Sequence, residues 1–130
     1  LRRTTMDLAT EVEQWLQRRY KGMKFEEYEE IVKQTAVYPK THKILYPALG
    51  MAGEAGEVAN KVKKIIRDGV TNQPKDWREQ LASEVGDVLW YCAAIAQDLN
   101  MPLAVIASKN KDKLLSRKER GTLSGSGDTR

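Results

Sequence analysis

The sequence is poor in the residues that build disulfide bonds and histidine-rich metal sites. Its 130 residues include one cysteine, Cys92, and one histidine, His42. A single cysteine rules out an internal disulfide bond and suits a reducing compartment, so we expect a cytoplasmic protein. No glutamate lies three residues from His42, which excludes the Glu-x-x-His pattern of di-iron helical bundles.

Long apolar runs are also missing. No stretch approaches the roughly 20 apolar residues of a membrane-spanning helix, and no secretory signal is visible. We therefore expect a protein without a membrane partner. The sequence begins at Leu1, and Met6 is a candidate for the natural start.

Neither sign of charge dominates the chain. There are 22 basic and 18 acidic residues, a formal net charge of +4, and the basic residues concentrate at the N-terminus and after Ser108. A basic C-terminal region fits nucleic acid, but it fits a small polyphosphate equally well. The net charge therefore leaves both kinds of partner open.

Apolar residues recur at helical spacing along most of the chain, and its length suits one domain. We predict five helices, over residues 4–20, 25–38, 47–68, 75–99 and 102–120. Pro39 ends the second helix, and Gly69 caps the third. Because the third helix has apolar residues on more than one side, we expect it to be a central helix of an all-α bundle.

Two acidic pairs with i, i+3 spacing lie on the third and fourth predicted helices, Glu54/Glu57 and Glu84/Asp87. Five pairs with this spacing occur, where chance placement of the acidic residues gives roughly two, so spacing alone is weak evidence. These two pairs differ from the others because small and apolar residues surround them. We therefore expect the four carboxylates to face the interior, where a charge must be paired or bound to metal.

An antiparallel hairpin of these two helices would bring both acidic pairs to one level. Such a four-carboxylate cluster favours a hard divalent ion over ion pairs with neighbouring lysines, because Mg²⁺ and Mn²⁺ take oxygen ligands. The cation relieves repulsion between the carboxylates and polarises a water for attack on phosphorus. Glu54 or Glu57 is the candidate base for that water, and the sequence does not rank them.

Cations suited to a phosphate chain occur in two places. Lys61 and Lys64 follow the first acidic pair, and either can reach phosphate, although a solvated role fits each equally well. Lys109, Lys113 and Arg117 recur every four residues and therefore share one stripe of the fifth helix.

Two further features bear on substrate binding. Residues 121–130 are rich in glycine and flexible by composition, and glycine lets backbone amides point at an anion. Tyr91 extends the acidic face of the fourth helix by one turn. Tyr91 or Trp90 can stack on a base, although such residues at helical spacing are more often part of the core.

The acidic arrangement, Glu-x-x-Glu followed after 26 residues by Glu-x-x-Asp, resembles the signature of the all-α nucleoside triphosphate pyrophosphohydrolases, the MazG-like family. The agreement extends to three segments, LGMAGEAGEVANKVKK, SEVGDVLWY and NKDKLLSRKERGTLSGSGDTR. The resemblance covers residues 25–130 and divides the chain into an N-terminal helical extension (1–24), a helical domain (25–120) and a flexible glycine-rich tail (121–130).

The resemblance implies an antiparallel helical bundle that forms homodimers or homotetramers. It implies Mg²⁺-dependent hydrolysis of nucleoside triphosphates to monophosphate and pyrophosphate, with Mn²⁺ as an alternative ion, in nucleotide-pool control or house-cleaning. By motif position, the metal ligands would be Glu54, Glu57, Glu84 and Asp87. Together with the helix-face candidates above, the residues predicted to bind substrate are Lys64, Tyr91, Asn110, Lys113, Arg117, Arg120 and Arg130.

Two alternatives remain open. The nearer one is a pyrophosphatase of the same fold that is specialised for dUTP, dCTP or phosphoribosyl-ATP. The more distant one is a non-enzymatic helical protein that binds nucleic acid through its basic C-terminal region. That alternative explains the cations between Lys109 and Arg120, but not the apolar-embedded acids, which would repel DNA. Nucleic acid is therefore the less favoured partner.

Overall fold

A computed structural model describes residues 8–20 and 22–127. Within these residues the chain forms helices and no strands, which confirms the predicted all-α class. The five α-helices are α1 (Leu8–Arg19), α2 (Phe25–Thr35), α3 (Leu45–Asp68), α4 (Trp77–Asp98) and α5 (Leu103–Glu119). Short 3₁₀ turns at Lys40–His42 and Val70–Asn72 lie on either side of α3.

Most helix ends agree with the sequence prediction to within two residues. The start predicted for the first helix, residue 4, lies outside the described residues. The largest difference is at the end of α2, which stops at Thr35 instead of continuing to residue 38. The hydroxyl of Tyr38 donates a hydrogen bond to Asp98 of α4, so this tertiary contact draws residues 36–38 away from a helical path.

Glycine residues form the C-terminal ends of α3 and α5. Gly69 ends α3 at φ 83°, a conformation that glycine adopts without steric cost. The α5 helix ends in a Schellman motif, in which Gly121 and Thr122 donate backbone hydrogen bonds to the carbonyls of Lys118 and Arg117.

An antiparallel hairpin of α3 and α4 is the main contact of the fold. Three contacts show its direction: Gly50 lies against Tyr91, Met51 against Cys92, and Lys61 against Glu84. Between the first two contacts and the third, residue numbers rise by about ten along α3 and fall by about eight along α4, so the helices run antiparallel. This is the arrangement predicted to bring the two acidic pairs together.

Helices α2 and α5 pack on the C-terminal half of α4. Buried apolar residues are few among those described, and three of the five are alanines: Val32, Ala93, Ala94, Ala96 and Leu103. Glu29 joins these helices, because its carboxylate accepts a hydrogen bond from the Leu103 N–H at 2.7 Å at the start of α5. A carboxylate at a helix N-terminus is favoured by the helix dipole.

The expectation that α3 would be covered on more than one side is wrong for the single chain. Val58 and Ile65 are half-buried, whereas Leu45, Leu49 and Ile66 on the other side are exposed, Ile66 by 80%. An apolar face of α3 is therefore left uncovered.

Among the described residues no single helix is long and apolar enough to cross a membrane. By length and composition alone, α4 and α5 would qualify together, but they meet at a bend of 102°.

Candidate metal centre and adjoining cavity

Three of the four predicted metal ligands lie together. Glu54 from α3 and Glu84 and Asp87 from α4 place carboxylate oxygens within 4.8 Å of one another. The i, i+3 spacing puts Glu84 and Asp87 on one side of α4, and the hairpin register brings Glu54 opposite them. We call these three residues the carboxylate cluster.

The fourth predicted ligand, Glu57, is not part of this cluster and is exposed. Residues three apart differ by about 60° around a helix, so two neighbours on α3 need not point at the same spot on α4. The metal-binding and catalytic roles of Glu57 stay predictions.

The expectation that the acidic side chains face the interior is only partly correct. Glu54 and Glu84 are half-buried, but Asp87 is exposed. The small neighbours on which the expectation was based, Ala52 and Gly53 among them, are exposed themselves in the single chain. Apolar surroundings in sequence therefore did not mean burial here.

The chemistry of the cluster fits a hard divalent cation. Its donors are all carboxylate oxygens, the ligands that Mg²⁺ and Mn²⁺ prefer. One cation of the chain lies against it, since Lys61 Nζ is 3.3 Å from Glu84 Oε1. Ion pairing with lysine therefore accounts for one carboxylate, whereas Glu54 and Asp87 form no ion pair within the part of the chain that the structure describes.

A cavity of about 370 Å³ adjoins the carboxylate cluster. Two of the three clustered acids reach its wall, and aromatic rings form much of the remainder. The lining residues are Thr35, Val37, Tyr38, Tyr46, Glu54, Asp87, Trp90 and Tyr91. The cavity thus joins a site suited to a cation with a surface suited to a flat, apolar group.

The aromatic rings of the cavity are held by contacts with one another and with Thr35. Tyr38 and Tyr46 stack with centroids 5.0 Å apart and planes at 15°. Trp90 meets Tyr91 edge-on at 4.9 Å, and its indole N–H donates to the Thr35 hydroxyl at 2.8 Å. The ring planes of this wall are therefore set by contacts within the chain itself.

Tyr91 owes its place to the absence of a side chain at Gly50. A β-carbon on Gly50 would collide with the Tyr91 ring. Burial raises the pKa of the Tyr91 phenol, and nearby Tyr46, Glu54 and Asp87 raise it further. Tyr91 therefore stays neutral and can donate a hydrogen bond at the edge of the cluster.

Outside the carboxylate cluster, Tyr91 and Trp90 were named from the sequence among the residues that line the cavity, but Tyr38, Tyr46 and Thr35 were not. Tyr38 was assigned to the second helix, and Tyr46 to the connector that follows it. The available signal was weak: two tyrosines on either side of the PKTHKIL segment, just before the acidic helix.

The structure does not bring the other predicted substrate-binding residues to this cavity. None of Lys64, Asn110, Lys113, Arg117 or Arg120 lines it among the residues described, and Arg130 lies outside them. Most of these side chains are exposed, but Arg117 is buried, with 7% of its surface accessible. The α5 helix packs on α2 and α4, and the roles of these residues stay predictions.

Residues 40–122 match the family model described as MazG nucleotide pyrophosphohydrolase domain. The class of the chain is thus a nucleotide pyrophosphohydrolase, and this class is metal-dependent. The chain is also 44% identical over 111 residues to the Gene 37 protein of Mycobacterium phage L5, an alignment that covers 79% of this chain and 96% of the phage protein. No solved structure matches it. The chain belongs to the MazG family.

Proposed function

We propose that the chain is a Mg²⁺-dependent nucleoside triphosphate pyrophosphohydrolase that acts in nucleotide-pool control or house-cleaning. The observation that carries the proposal is the carboxylate cluster, whose oxygens lie within 4.8 Å of one another beside an aromatic cavity. Family membership supports nucleotide pyrophosphohydrolase activity in general. The proposal narrows this activity to triphosphates and the metal to Mg²⁺, with Mn²⁺ as an alternative.

Glu54, Glu84 and Asp87, joined by Glu57, would hold the metal ion. When bound, the ion would neutralise phosphate oxygens and make an attacking water more acidic. Glu54 or Glu57 accepts the proton of that water as its oxygen bonds to phosphorus. The bond from the α-phosphorus to the oxygen that bridges the α- and β-phosphates breaks. Pyrophosphate leaves with the electron pair of that bond.

Lys61 is the cation nearest to this chemistry. It lies 3.3 Å from Glu84 in the structure. When Glu84 serves as a ligand, Lys61 can turn toward the phosphate chain and offset the charge that develops on the pyrophosphate. We keep Lys64, Asn110, Lys113, Arg117, Arg120 and Arg130 in the proposal as further phosphate contacts.

The nucleoside would occupy the aromatic cavity. A base stacks favourably on aromatic rings, and the stacked Tyr38–Tyr46 pair offers a flat surface for it. Tyr91 lies where the cavity and the carboxylate cluster meet, so its hydroxyl is suited to a contact with the sugar or a phosphate.

We also propose that the enzyme is a homodimer or homotetramer. The uncovered apolar face of α3 supports this, because a second copy of the chain would bury it.

A substrate panel tests the activity. Ribo- and deoxynucleoside triphosphates, together with dUTP, dCTP and phosphoribosyl-ATP, are incubated with Mg²⁺, and pyrophosphate and phosphate release are followed separately. Pyrophosphate release from several triphosphates supports the proposal, and a strong preference for dUTP, dCTP or phosphoribosyl-ATP selects the specialised alternative. Release of single phosphates, or activity that persists in a chelator, contradicts it.

A further inference from the structure

The connector between α2 and α3, residues 36–44, ends in a strained conformation. Ile44 has φ 64° and ψ −51°, and a β-branched residue rarely adopts a positive φ. The N–H of Leu45 donates to the Lys43 carbonyl at 2.7 Å, which closes a γ-turn of the rare, strained kind around Ile44. Such strain persists only where surrounding contacts hold it, and it concentrates at functional sites.

One carboxylate oxygen holds this connector at two points. Oδ2 of Asp98, the last residue of α4, accepts a hydrogen bond from the Ile44 N–H at 2.7 Å and another from the Tyr38 hydroxyl at 2.9 Å. Hydrogen bonds to a charged acceptor are stronger than those between neutral groups. Asp98 therefore fixes both the strained turn and the residue six positions before it.

Tyr38 and Val37 are the residues of the connector that line the cavity, and Tyr38 is the aromatic one. Its ring stacks on Tyr46 and meets Trp90 edge-on at 6.5 Å and 82°. All three rings line the cavity into which Glu54 and Asp87 also project. The position of the aromatic wall therefore depends on where the connector is held.

We propose that Asp98 is a positioning residue for the nucleoside: by holding Tyr38 and Ile44, it keeps the Tyr38–Tyr46 stack in place as the wall on which the base rests. Asp98 lies eleven residues beyond Asp87 on α4, about 16 Å along the helix axis, so it acts through Tyr38 and does not touch the substrate. This inference rests on the proposed function for the identity of the substrate. The contacts that form the aromatic wall do not depend on that function.

The contacts predict an effect on binding and not on chemistry. The side chains that hold the Tyr38 ring are Tyr46, Trp90 and Asp98, and none of them is a proposed metal ligand. Loss of Asp98 would therefore loosen the wall and leave the carboxylate cluster intact.

The test begins with Asp98→Ala, which removes both hydrogen bonds. Without substrate, the near-ultraviolet circular dichroism of the stacked tyrosines should decrease while the far-ultraviolet helical signal is retained. With Mg²⁺ and the best substrate of the panel, KM should rise at least about tenfold and kcat should change less than about threefold. Asp98→Asn keeps an acceptor oxygen and should restore part of both signals.

Two further variants narrow the interpretation. Tyr38→Phe keeps the ring and the Ile44 hydrogen bond, so it should raise KM less than Asp98→Ala does; its near-ultraviolet spectrum is not compared, because the substitution removes one of the stacked tyrosines. Asp68→Ala is the matched control, because Asp68 also ends a helix, but among the described residues its carboxylate bonds only to the exposed neighbour Arg67, at 2.6 and 2.8 Å. It should change neither the near-ultraviolet spectrum nor KM.

The outcomes separate this inference from the proposed function. An unchanged near-ultraviolet spectrum in Asp98→Ala overturns the positioning role, whether or not the enzyme is active. A changed spectrum with an unchanged KM shows that the wall does not bind substrate, and it overturns the inference while the proposed function stands. A wild-type protein that is inactive on the whole panel overturns the proposed function and with it the substrate role of the wall. If Asp98→Ala does not fold, Asp98→Asn provides both readouts and Tyr38→Phe provides the KM readout.

Discussion

Asp87 is the exposed member of the carboxylate cluster, and its replacement tests the metal site with little disturbance of packing. Asparagine has almost the same volume but no charge. Asp87→Asn should therefore lower Mg²⁺-dependent kcat at least about 100-fold. Because the change also relieves repulsion between carboxylates, the metal-free protein should melt at the same or a higher temperature. Steady-state kinetics and thermal melts in a chelator measure the two effects.

The control for this substitution is Asp112→Asn. Asp112 is an exposed residue of α5 that lies 3.4 Å from Lys111, and its loss should change neither rate nor melting temperature. Near-normal turnover of Asp87→Asn at saturating substrate would refute the metal role. A loss of several kcal/mol of stability would instead show that Asp87 has a structural role in the metal-free protein.

Tyr38 gives a prediction about alkaline pH. Burial raises the pKa of its hydroxyl to about 12, and the hydrogen bond and the charge of Asp98 contribute. Since this pKa lies above the ordinary value of 10.0, the contact stabilises fully below pH 10.0 and is lost as the pH rises toward 12. The difference in tyrosinate absorbance between wild type and Tyr38→Phe should show one phenol ionising near pH 12. A step near pH 10 would show that Asp98 does not hold the hydroxyl.

At the scale of helices, Gly50 of α3 lies directly against the Tyr91 ring of α4, with no room for a β-carbon between them. Replacing a glycine in a helix by alanine ordinarily stabilises a protein by about 0.5–1 kcal/mol. Gly50→Ala should not show this gain, because the new methyl group displaces the Tyr91 ring from the edge of the cavity. We expect KM for the triphosphate to rise several-fold, as measured in the pyrophosphate assay.

Gly53→Ala is the matched control on the same helix, because an added methyl group there meets nothing within 4 Å among the described residues. It should give the ordinary stabilisation in a thermal melt and an unchanged KM. If Gly50→Ala behaves in the same way as Gly53→Ala, the position of Tyr91 is not important for binding.

The C-terminal tail can be tested without damaging α5. The Schellman motif at Gly121 and Thr122 belongs to the helix, whereas Leu123 is 55% exposed. Deletion of residues 123–130 should therefore leave α5 and its C-terminal motif in place, as measured by the far-ultraviolet circular dichroism of the ligand-free protein. If the tail closes over the phosphates, the deletion should raise KM or lower kcat at least about tenfold, equivalent to about 1.4 kcal/mol. Unchanged kinetics would show that the tail has no part in catalysis.

Local signals made the helices predictable. Apolar periodicity and the glycine that ends α3 depend on neighbouring residues only, and the register of a hairpin follows from its short loop. The aromatic wall was not predictable in this way. Tyr38 is placed by Asp98, which lies 60 residues away, and sequence spacing carries no sign of that contact. The i, i+3 spacing also predicted that Glu57 would lie in the cluster. Spacing does not say which face of α3 packs on α4, and Glu57 lies outside that face.

At the scale of the whole molecule, the described part of the chain has a small apolar core. The buried apolar residues among those described are five, and most of them are alanine. Burial of so little apolar surface is a weak source of stability for a chain of this length. We infer that a partner surface completes the core.

The apolar stripe of α3 is the surface that a second copy of the chain would cover. Its members recur every three or four residues along one side of the helix and are all exposed: Leu45, Leu49, Ala52, Gly56, Ala59, Val62 and Ile66. Neighbouring Val85 and Leu89 of α4 are also exposed, by 52% and 42%. Light scattering at micromolar concentration should therefore give a mass of two or four chains.

Ile66→Glu tests whether this stripe forms the interface. In a monomer the change would cost little, because Ile66 is 80% exposed. In an oligomer it buries an unpaired charge, so the assembly should dissociate and the melting temperature should fall and become dependent on protein concentration. Leu115→Glu, at a residue of α5 that is 50% exposed, is the control and should leave the mass unchanged. A monomeric wild-type protein, or an Ile66→Glu variant with the wild-type mass and melting temperature, would refute the α3 interface.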